Sequence, residues 1–277
     1  MREGHFVVDA HVHVIRGAID STFAEPSGRA SRSPAISAEE VVARMERYGI
    51  DTSVLIVHAW SDTSIDEVRH EHDIVAEDIR RYPERFTGVC TADPRQGQRA
   101  VDEVRRAVEE LGYCGLKLLP SFHNYLVDSA LVDPLMRVAA DSSLPVLYCS
   151  QWHFYGAEPW RWVRLARRYP ELTFVMCHMG IDPFVTESLV VPHMVAEAPN
   201  IVLETSATTT DPYGVFTAPA EILGPDRLMW GSDGGPFLHP ELELLKLDLA
   251  GLEPGARRMV LGGTAARVFG IAQPNPL

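Results

Sequence analysis

The sequence contains no apolar segment long enough to cross a membrane. A helix that spans a bilayer takes about 20 consecutive apolar residues, and no run in this chain of 277 residues approaches that length. The N-terminus also lacks the basic and then apolar layout of a secretory signal peptide. We therefore expect a soluble, cytoplasmic protein that does not associate with membranes.

Positive charge is also in short supply. The chain has 25 lysine and arginine residues against 38 aspartate and glutamate residues, and its formal net charge is −13. Nucleic acids and anionic membrane surfaces are bound through basic patches, so we expect neither as a partner. A glycine-rich phosphate loop is missing as well. These absences leave a small molecule as the expected partner.

Cysteine is rare, and its spacing does not suggest a disulfide framework. The four cysteines are Cys90, Cys114, Cys149 and Cys177, and no two of them form a C-x-x-C motif. Each lies in or near a short apolar run of the kind that forms a buried strand. This pattern is typical of reduced thiols in a cytosolic protein.

The chain does contain a regular alternation of short apolar runs and helical patterns. We count eight strand-like runs, each followed by a helical pattern, and two of the helices begin at capping boxes, at residues 37–40 and 64–67. Such alternation implies parallel strands with right-handed crossovers. Eight units in about 270 residues match a closed (β/α)8 barrel. We therefore predict an α/β fold, a single TIM-barrel domain over residues 1–277, which could pair as a homodimer through its outer helices.

His11 and His13 end the first predicted strand. Side chains alternate along a strand, so two histidines two residues apart point the same way and can hold one divalent cation. An isolated H-x-H motif often arises by chance, but here polar residues end most of the later strands as well. In a barrel these strand ends meet at one face, where catalytic groups lie. The later strand-end residues are His58, Thr91, Asp93, Lys117, Cys149, His178, Glu204 and Asp233.

The order of these motifs resembles the amidohydrolase superfamily. More narrowly, it resembles the amidohydrolase-related branch, which includes decarboxylases of the aminocarboxymuconate-semialdehyde type. The resemblance extends over nearly the whole chain, and its motifs specify the superfamily but no substrate. The matching segments are H-x-H at residues 11–13, Y-P-E-R-F at 82–86, G-L-K-L at 115–118, C-H-M-G at 177–180 and G-S-D at 231–233.

The resemblance implies a site for one divalent metal ion, and we expect zinc. His11, His13 and Asp233 would bind it, which is the number of protein ligands that an open catalytic zinc site keeps. A bound water would become acidic, with a pKa near ~7, and Asp233 would orient it or take its proton. His178 would polarise the substrate or act as acid and base. Lys117 would pair with a substrate carboxylate or with Glu204, or would be carbamylated.

Cys149 is the main departure from the family pattern, which has histidine at the end of strand five. A thiolate can replace imidazole on zinc, with a bond of about 2.3 Å. A cysteine that ends an apolar strand is, however, ordinarily a small core residue. Both interpretations stay open, and His153 could reach inward in its place. A second departure is Leu119, where the family usually has histidine before Pro120.

Aromatic and imidazole side chains follow several of the predicted strands. We predict that they form the wall of a substrate pocket, although ordinary loop packing would explain any one of them. Together they favour a flat, partly apolar substrate. These candidate substrate-binding residues are Trp60, Phe122, His123, Trp152, His153 and Phe237.

Three functions fit these residues. The first is metal-dependent hydrolysis of an amide, ester or lactone, which we place ahead of the others. The second is non-oxidative decarboxylation, or another C–C lyase reaction, at the same metal site. The third is a metal-free lactonase or a binding protein with a decayed site. Retention of His11, His13, His178 and Asp233 together argues against complete decay.

A substitution at Cys149 separates its two interpretations. For a core residue, Cys149→Ser should leave metal binding unchanged and reduce stability by about 1–3 kcal/mol, because a buried hydroxyl would lack partners. This is the outcome that we expect. For a ligand, the same change should weaken metal binding at least about tenfold, and Cys149→His should restore it. Metal titration with urea unfolding of both variants measures the two effects.

Overall fold

The barrel strands pair in the order in which they occur along the chain. Eight strands of the described part of the chain form one parallel sheet. A parallel bridge between Val12 and Gly234 then joins the end of the last strand to the first. The sheet therefore closes into the predicted (β/α)8 barrel. The computed structural model describes residues 2, 4–14, 20–24, 30–32, 36–57, 59, 63–149, 156–180, 190–208, 210–235 and 239–273, with the backbone alone for 20–24 and 30–32.

Every strand of the barrel is followed by a helix. The strands are β1 (Val8–Val12), β2 (Asp20–Ala24), β3 (Ala30–Arg32), β4 (Thr52–Ile56), β5 (Phe86–Thr91), β6 (Leu116–Leu118), β7 (Val146–Cys149), β8 (Phe174–Cys177), β9 (Ile201–Glu204) and β10 (Leu228–Met229), of which β2 and β3 form a separate antiparallel pair. The helices are α1 (Ala38–Tyr48), α2 (Ile65–Arg81), α3 (Gln98–Glu109), α4 (Asp133–Asp141), α5 (Pro159–Arg168), α6 (Val190–Val195), α7 (Ala218–Leu223), α8 (Pro240–Leu249), α9 (Pro254–Arg258) and α10 (Thr264–Phe269).

The two predicted capping boxes are present. The Ser37 hydroxyl accepts a hydrogen bond from the Glu40 backbone N–H, and the Glu40 side chain returns a bond to the backbone of Ser37. Ser64 and Glu67 do the same at the start of α2. Each box satisfies backbone donors that the first turn of a helix leaves free. Among the described residues, no helix is both long and apolar enough to cross a membrane.

A β-bulge in β1 gives the first strand an unusual pattern of side-chain directions. Asp9 pairs with Ser53 and Val12 pairs with Leu55, so β1 uses one residue more than β4 over the same stretch. A bulge reverses the alternation of side chains beyond it. Val8 and Ala10 therefore face the barrel interior, and so do His11 and His13. Without the bulge, the histidines would face the helices.

The interior of the barrel is apolar at one end and polar at the other. Its apolar part is small and closely packed, and α10 covers it through Ala265 and Phe269. Towards the carboxyl ends of the strands the interior positions are taken by buried Lys117 and Glu204. A charged group buried in such a place is costly unless it is paired with an opposite charge or bound to a ligand. The main apolar residues are Val8, Ala10, Val54, Ile56, Val89, Leu147, Val175, Cys177, Val202 and Met229.

A buried hydrogen-bond network behind β5 fixes the end of that strand. His72 of α2 bonds to Glu103 of α3, with 2.7 Å between Nδ1 and Oε1. The Thr91 backbone N–H donates to the other nitrogen of His72 at 3.1 Å. The Thr91 hydroxyl in turn donates to the Lys117 carbonyl at 2.9 Å. Burial alone would raise the pKa of Glu103, but hydrogen bonds from His72 and Arg106 lower it to about 2. The network holds β5 beside the strand that carries Lys117.

Candidate metal centre

The three predicted ligands lie together at the carboxyl end of the barrel. Asp233 Oδ1 is 3.4 Å from His11 Nε2 and 3.5 Å from His13 Nε2. In a tetrahedral site with bonds of about 2.1 Å, donor atoms lie about 3.4 Å apart. The spacing of these nitrogen and oxygen atoms therefore fits a single ion. All three donors lie within 4.8 Å of one another.

Backbone hydrogen bonds to β1 place Asp233 over the two histidines. The Gly234 N–H donates to the His11 carbonyl at 3.1 Å, and the His13 N–H donates to the Gly234 carbonyl at 2.6 Å. Buried Asp9 accepts bonds from the backbone N–H and the hydroxyl of Ser232, at 2.8 and 2.6 Å. These bonds hold Asp233 in a left-handed conformation, with φ of 51°, which aspartate adopts more readily than most residues.

Hydrogen bonds also fix how the two histidines present their nitrogens. His13 Nδ1 is 2.9 Å from the Ile56 carbonyl, which can only accept, so Nδ1 carries the proton. His11 Nδ1 is 3.0 Å from Glu204 Oε2. With Nδ1 protonated, the lone pair that can bind a cation is on Nε2 of each ring. Burial and the positive charge of Lys117 lower the pKa of His11 to about 4, which keeps the ring neutral.

Glu204 is a buried carboxylate that organises several of these groups. Burial alone would raise its pKa, but bonds and charges from His11 and His178 lower it to about 2. Besides His11, it accepts a bond from the Ser206 N–H at 2.7 Å and one from the Ser206 hydroxyl at 2.9 Å. The sequence marks Glu204 as a strand-end residue, but its role in orienting His11 depends on a contact across the barrel that the sequence does not reveal.

His178 stands beside the three donors. Its ring stacks on the ring of His11 with centroids 5.1 Å apart, and its Nδ1 is 3.0 Å from the Ser206 carbonyl. Burial lowers its pKa, but the Cys149 thiol and the Asp233 and Glu204 carboxylates outweigh this and raise it to about 9. An imidazolium that donates to the Ser206 carbonyl is thus favoured at neutral pH.

Cys149 pairs with His178 in this structure. Its Sγ lies 3.5 Å from His178 Nε2. Within the described part of the chain, Cys149 does not belong to a group of three potential ligands whose donor atoms all approach within 4.8 Å. Metal binding by Cys149 stays a prediction, and it would require the side chain to move from its present contact.

Lys117 has partners that sequence reasoning missed. Its side chain is only 2 % exposed, and Nζ lies 3.1 Å from Cys177 Sγ and 3.5 Å from His11 Nε2. Burial acts to lower the pKa of Lys117, but the thiols of Cys177 and Cys149 and the Glu204 carboxylate raise it overall. The sequence feature that could have indicated Cys177 as a site residue is its position at the end of β8, directly before His178.

The structure describes two of the six predicted wall residues. Phe122 packs beside Cys149 against a small apolar cluster that includes Leu119. His123 is buried, and its ring stacks on Tyr125 with centroids 6.5 Å apart. Their contact with a substrate stays a prediction. The remaining four, Trp60, Trp152, His153 and Phe237, lie outside the described residues, as does the strand-end residue His58.

Comparison with known proteins identifies the family. The sequence profile of the amidohydrolase family matches residues 8–271. The chain therefore belongs to this family, and the resemblance seen in the sequence, including the branch that contains decarboxylases, is confirmed.

Particular relatives are decarboxylases. Gamma-resorcylate decarboxylase of Rhodococcus jostii (strain RHA1) is 31% identical over 78 residues, which are 26% of this chain and 24% of the relative. The matched segment thus spans about a quarter of that protein.

Two solved structures share the fold over nearly their full length. The 5-carboxyvanillate decarboxylase of Sphingomonas paucimobilis has a TM-score of 0.75 and 20% identity, with 96% of this chain and 99% of that chain covered. A dihydroxybenzoic acid decarboxylase of Polaromonas sp. JS666, with bound manganese and the inhibitor 2-nitroresorcinol, has a TM-score of 0.75 and 18% identity, with 99% of each chain covered. At these identities the likeness establishes the barrel fold.

Gly231 offers a direct test of the contact between Glu204 and His11. A Cβ at Gly231 would overlap Glu204 Oε1 and lie 3.1 Å from the Cβ of His11, whereas a Cβ at Gly235 would lie 3.5 Å from the nearest atoms, an ordinary contact. Gly231→Ala should displace Glu204 and weaken metal binding by about 10–100-fold, the usual effect of losing a group that orients a ligand.

The matched control is Gly235→Ala, which should bind metal nearly as tightly as the wild type. Competition with a chelating dye measures the affinities, and circular dichroism checks that both variants fold. Unchanged affinity in Gly231→Ala would show that Glu204 does not orient His11 for metal binding.

Proposed function

We propose that this protein catalyses the metal-dependent, non-oxidative decarboxylation of a small aromatic carboxylic acid. The observation that carries the proposal is the position of His178, a group able to donate a proton, stacked on His11 beside the three-donor set. The decarboxylase relatives support this choice over hydrolysis, which the sequence had placed first. The two reactions use the same kind of metal site, so the ligands alone do not distinguish them.

His11, His13 and Asp233 would hold one divalent ion. When bound, the ion supplies a Lewis acid that polarises carboxylate and phenol oxygens of a substrate. Imidazole and carboxylate donors suit zinc and also manganese, and the Polaromonas relative contains manganese. Zinc, the ion expected from the sequence, therefore stays a prediction. The presence of all three donors in binding geometry supports a functioning site over a decayed one.

The chain's own residues would manage the proton. In non-oxidative decarboxylation the ring carbon gains a proton, the bond to the carboxyl carbon breaks, and CO2 leaves. His178 would hold that proton at Nε2, because its Nδ1 bonds to the Ser206 carbonyl and so fixes the direction of the ring. Glu204 accepts the bond from His11 and keeps this histidine in the orientation that faces Asp233. Phe122, near Cys149, offers an apolar surface for a flat ring.

The activity can be tested directly on protein purified without chelator. We expect about one equivalent of divalent metal and release of CO2 from 2,6-dihydroxybenzoate or 5-carboxyvanillate, two substrates suggested by the relatives. Removal of the metal should abolish CO2 release, and zinc or manganese should restore it. Metal analysis and a coupled CO2 assay measure both quantities. Full activity of metal-free protein, or cleavage of esters and lactones without CO2 release from any aromatic acid, would refute the proposal.

The role of His178 can be separated from metal binding by one substitution. His178→Asn should lower turnover by about 10²–10⁴-fold, the usual contribution of a general acid or base, because asparagine cannot supply the proton. Metal content should stay near that of the wild type. His193→Asn, an exposed histidine on α6, is the matched control and should retain activity. Loss of metal from His178→Asn would make His178 a ligand instead.

A further inference from the structure

Two free thiols lie side by side on neighbouring strands at the carboxyl end of the barrel. Cys149 ends β7 and Cys177 ends β8, and the two residues are direct partners in the parallel pairing of these strands. Side chains alternate along a strand, so Cys149 points to the same side as Leu147, which lies in the barrel interior with Cys177. Both cysteines are reduced in the structure.

The pairing of the strands brings the two residues within the range of a disulfide. Neighbouring strands lie about 4.8 Å apart, and the Cα atoms of a disulfide are usually about 4.4–6.8 Å apart. The Cβ atoms of a disulfide approach to about 3.8 Å, so the two strand ends would have to draw together. Such strain makes a disulfide easier to reduce. A disulfide at this position would therefore be reversible.

Each of the two sulfurs has a basic side chain beside it. Lys117 Nζ donates to Cys177 Sγ at 3.1 Å, and His178 Nε2 lies 3.5 Å from Cys149 Sγ. Positively charged neighbours favour the thiolate over the thiol, and the thiolate is the form that oxidants attack. The surroundings of both cysteines thus favour reaction with an oxidant.

The two thiols differ in exposure, and this difference gives each one its role. Cys149 is partly exposed, whereas Cys177 is fully buried. Redox-sensitive cysteines often combine an accessible thiolate with a second thiol that resolves the first oxidation product. We propose that Cys149 is a site of oxidation by hydroperoxides and that Cys177 then forms a reversible disulfide with it.

The oxidation takes place in two steps. The Cys149 thiolate attacks one oxygen of hydrogen peroxide, the O–O bond breaks, and a sulfenic acid forms while the leaving hydroxide takes a proton and becomes water. The Cys177 thiolate then attacks the sulfur of the sulfenic acid, the S–O bond breaks, and a second water leaves. In total the two sulfurs lose two electrons and their two protons, and the peroxide gains them.

The disulfide would alter the contacts of two site residues. Cys149 would turn from His178 towards Cys177, and Cys177 would turn away from Lys117. His178 would then lose a contact at Nε2, the nitrogen assigned to carry the proton. We expect CO2 release to fall in proportion to the disulfide formed and to return on reduction. This effect on activity, unlike the oxidation itself, rests on the proposed function.

The experiment exposes the full chain, purified without chelator, to hydrogen peroxide and stops the reaction with catalase. Free thiols should fall from four to two, and the intact mass should fall by two hydrogens. Peptide mapping should locate the bond between Cys149 and Cys177, and dithiothreitol should restore both the thiols and the mass.

Single substitutions separate the roles of the two cysteines. Cys149→Ser should keep its remaining thiols under the same exposure. Cys177→Ser should stop at a sulfenic acid on Cys149, which dimedone traps. The matched control is Cys114→Ser, because Cys114 is also partly exposed but donates to the Gly88 carbonyl. It should form the disulfide at the rate of the wild type. If Cys177→Ser does not fold, the peptide map of the wild type decides the outcome.

Three results would overturn the proposal. One is a wild-type protein that keeps all four thiols under an exposure that oxidises free cysteine. Another is a disulfide between any other pair of cysteines. The third is dimedone labelling of Cys177 in Cys149→Ser, which would show that the buried thiol reacts without its partner.

Thiol counts and CO2 release keep this inference apart from the proposed function. Reduced protein that releases no CO2 would contradict the proposed function, and the thiol count and the peptide map would still test the disulfide. Reduced protein that is active and stays fully active once Cys149 and Cys177 are joined would overturn the link between oxidation and activity. The proposed function would then stand.

Discussion

The hydrogen bond between Glu204 and His11 is the interaction on which the rest of the site depends. It crosses the barrel interior from β9 to β1 over 3.0 Å. A carboxylate enclosed there needs several partners, and Glu204 finds them in His11, in the backbone and hydroxyl of Ser206 and in the backbone of His178. The hydrogen bonds that stabilise the buried Glu204 carboxylate thereby fix the tautomer of His11 and the position of the backbone at His178. Gly231 is needed next to it because any side chain would occupy the space of Glu204.

Much of the architecture could be predicted from local sequence. Apolar runs of strand length, capping serines at Ser37 and Ser64 and the repeated alternation of strand and helix led to the barrel, since each reflects short-range physics that a single segment contains. The gathering of His11, His13, His178 and Asp233 followed from the barrel itself, because closure brings the carboxyl ends of all strands together.

The contacts that were missed all depend on register between distant strands. The bulge between Asp9 and Val12 arises from pairing with β4, and no residue pattern within β1 predicts it. The contact of Lys117 with Cys177 joins β6 to β8 across an intervening strand, and no spacing rule links residues 60 positions apart. Cys149 was considered as a ligand or a core residue; it packs against a small apolar cluster, its contact with His178 was not foreseen, and metal binding by it stays a prediction. The metal ligands also do not specify the reaction, since hydrolysis and decarboxylation use the same donors.

The bulged first strand and the loop after the last strand supply the candidate donors together, and this has a consequence for the order of assembly. His11 and His13 come from the first barrel strand, whereas Asp233 follows the eighth and is held by bonds to β1 that also join the sheet into a ring. A nascent chain that stops before β10 therefore has two of the three donors and an open sheet edge. Only the finished barrel offers all three donors, so an ion that binds them stabilises the closed form by mass action. Through this linkage a bound ion would stabilise the contact between the first barrel strand and the loop that carries Asp233.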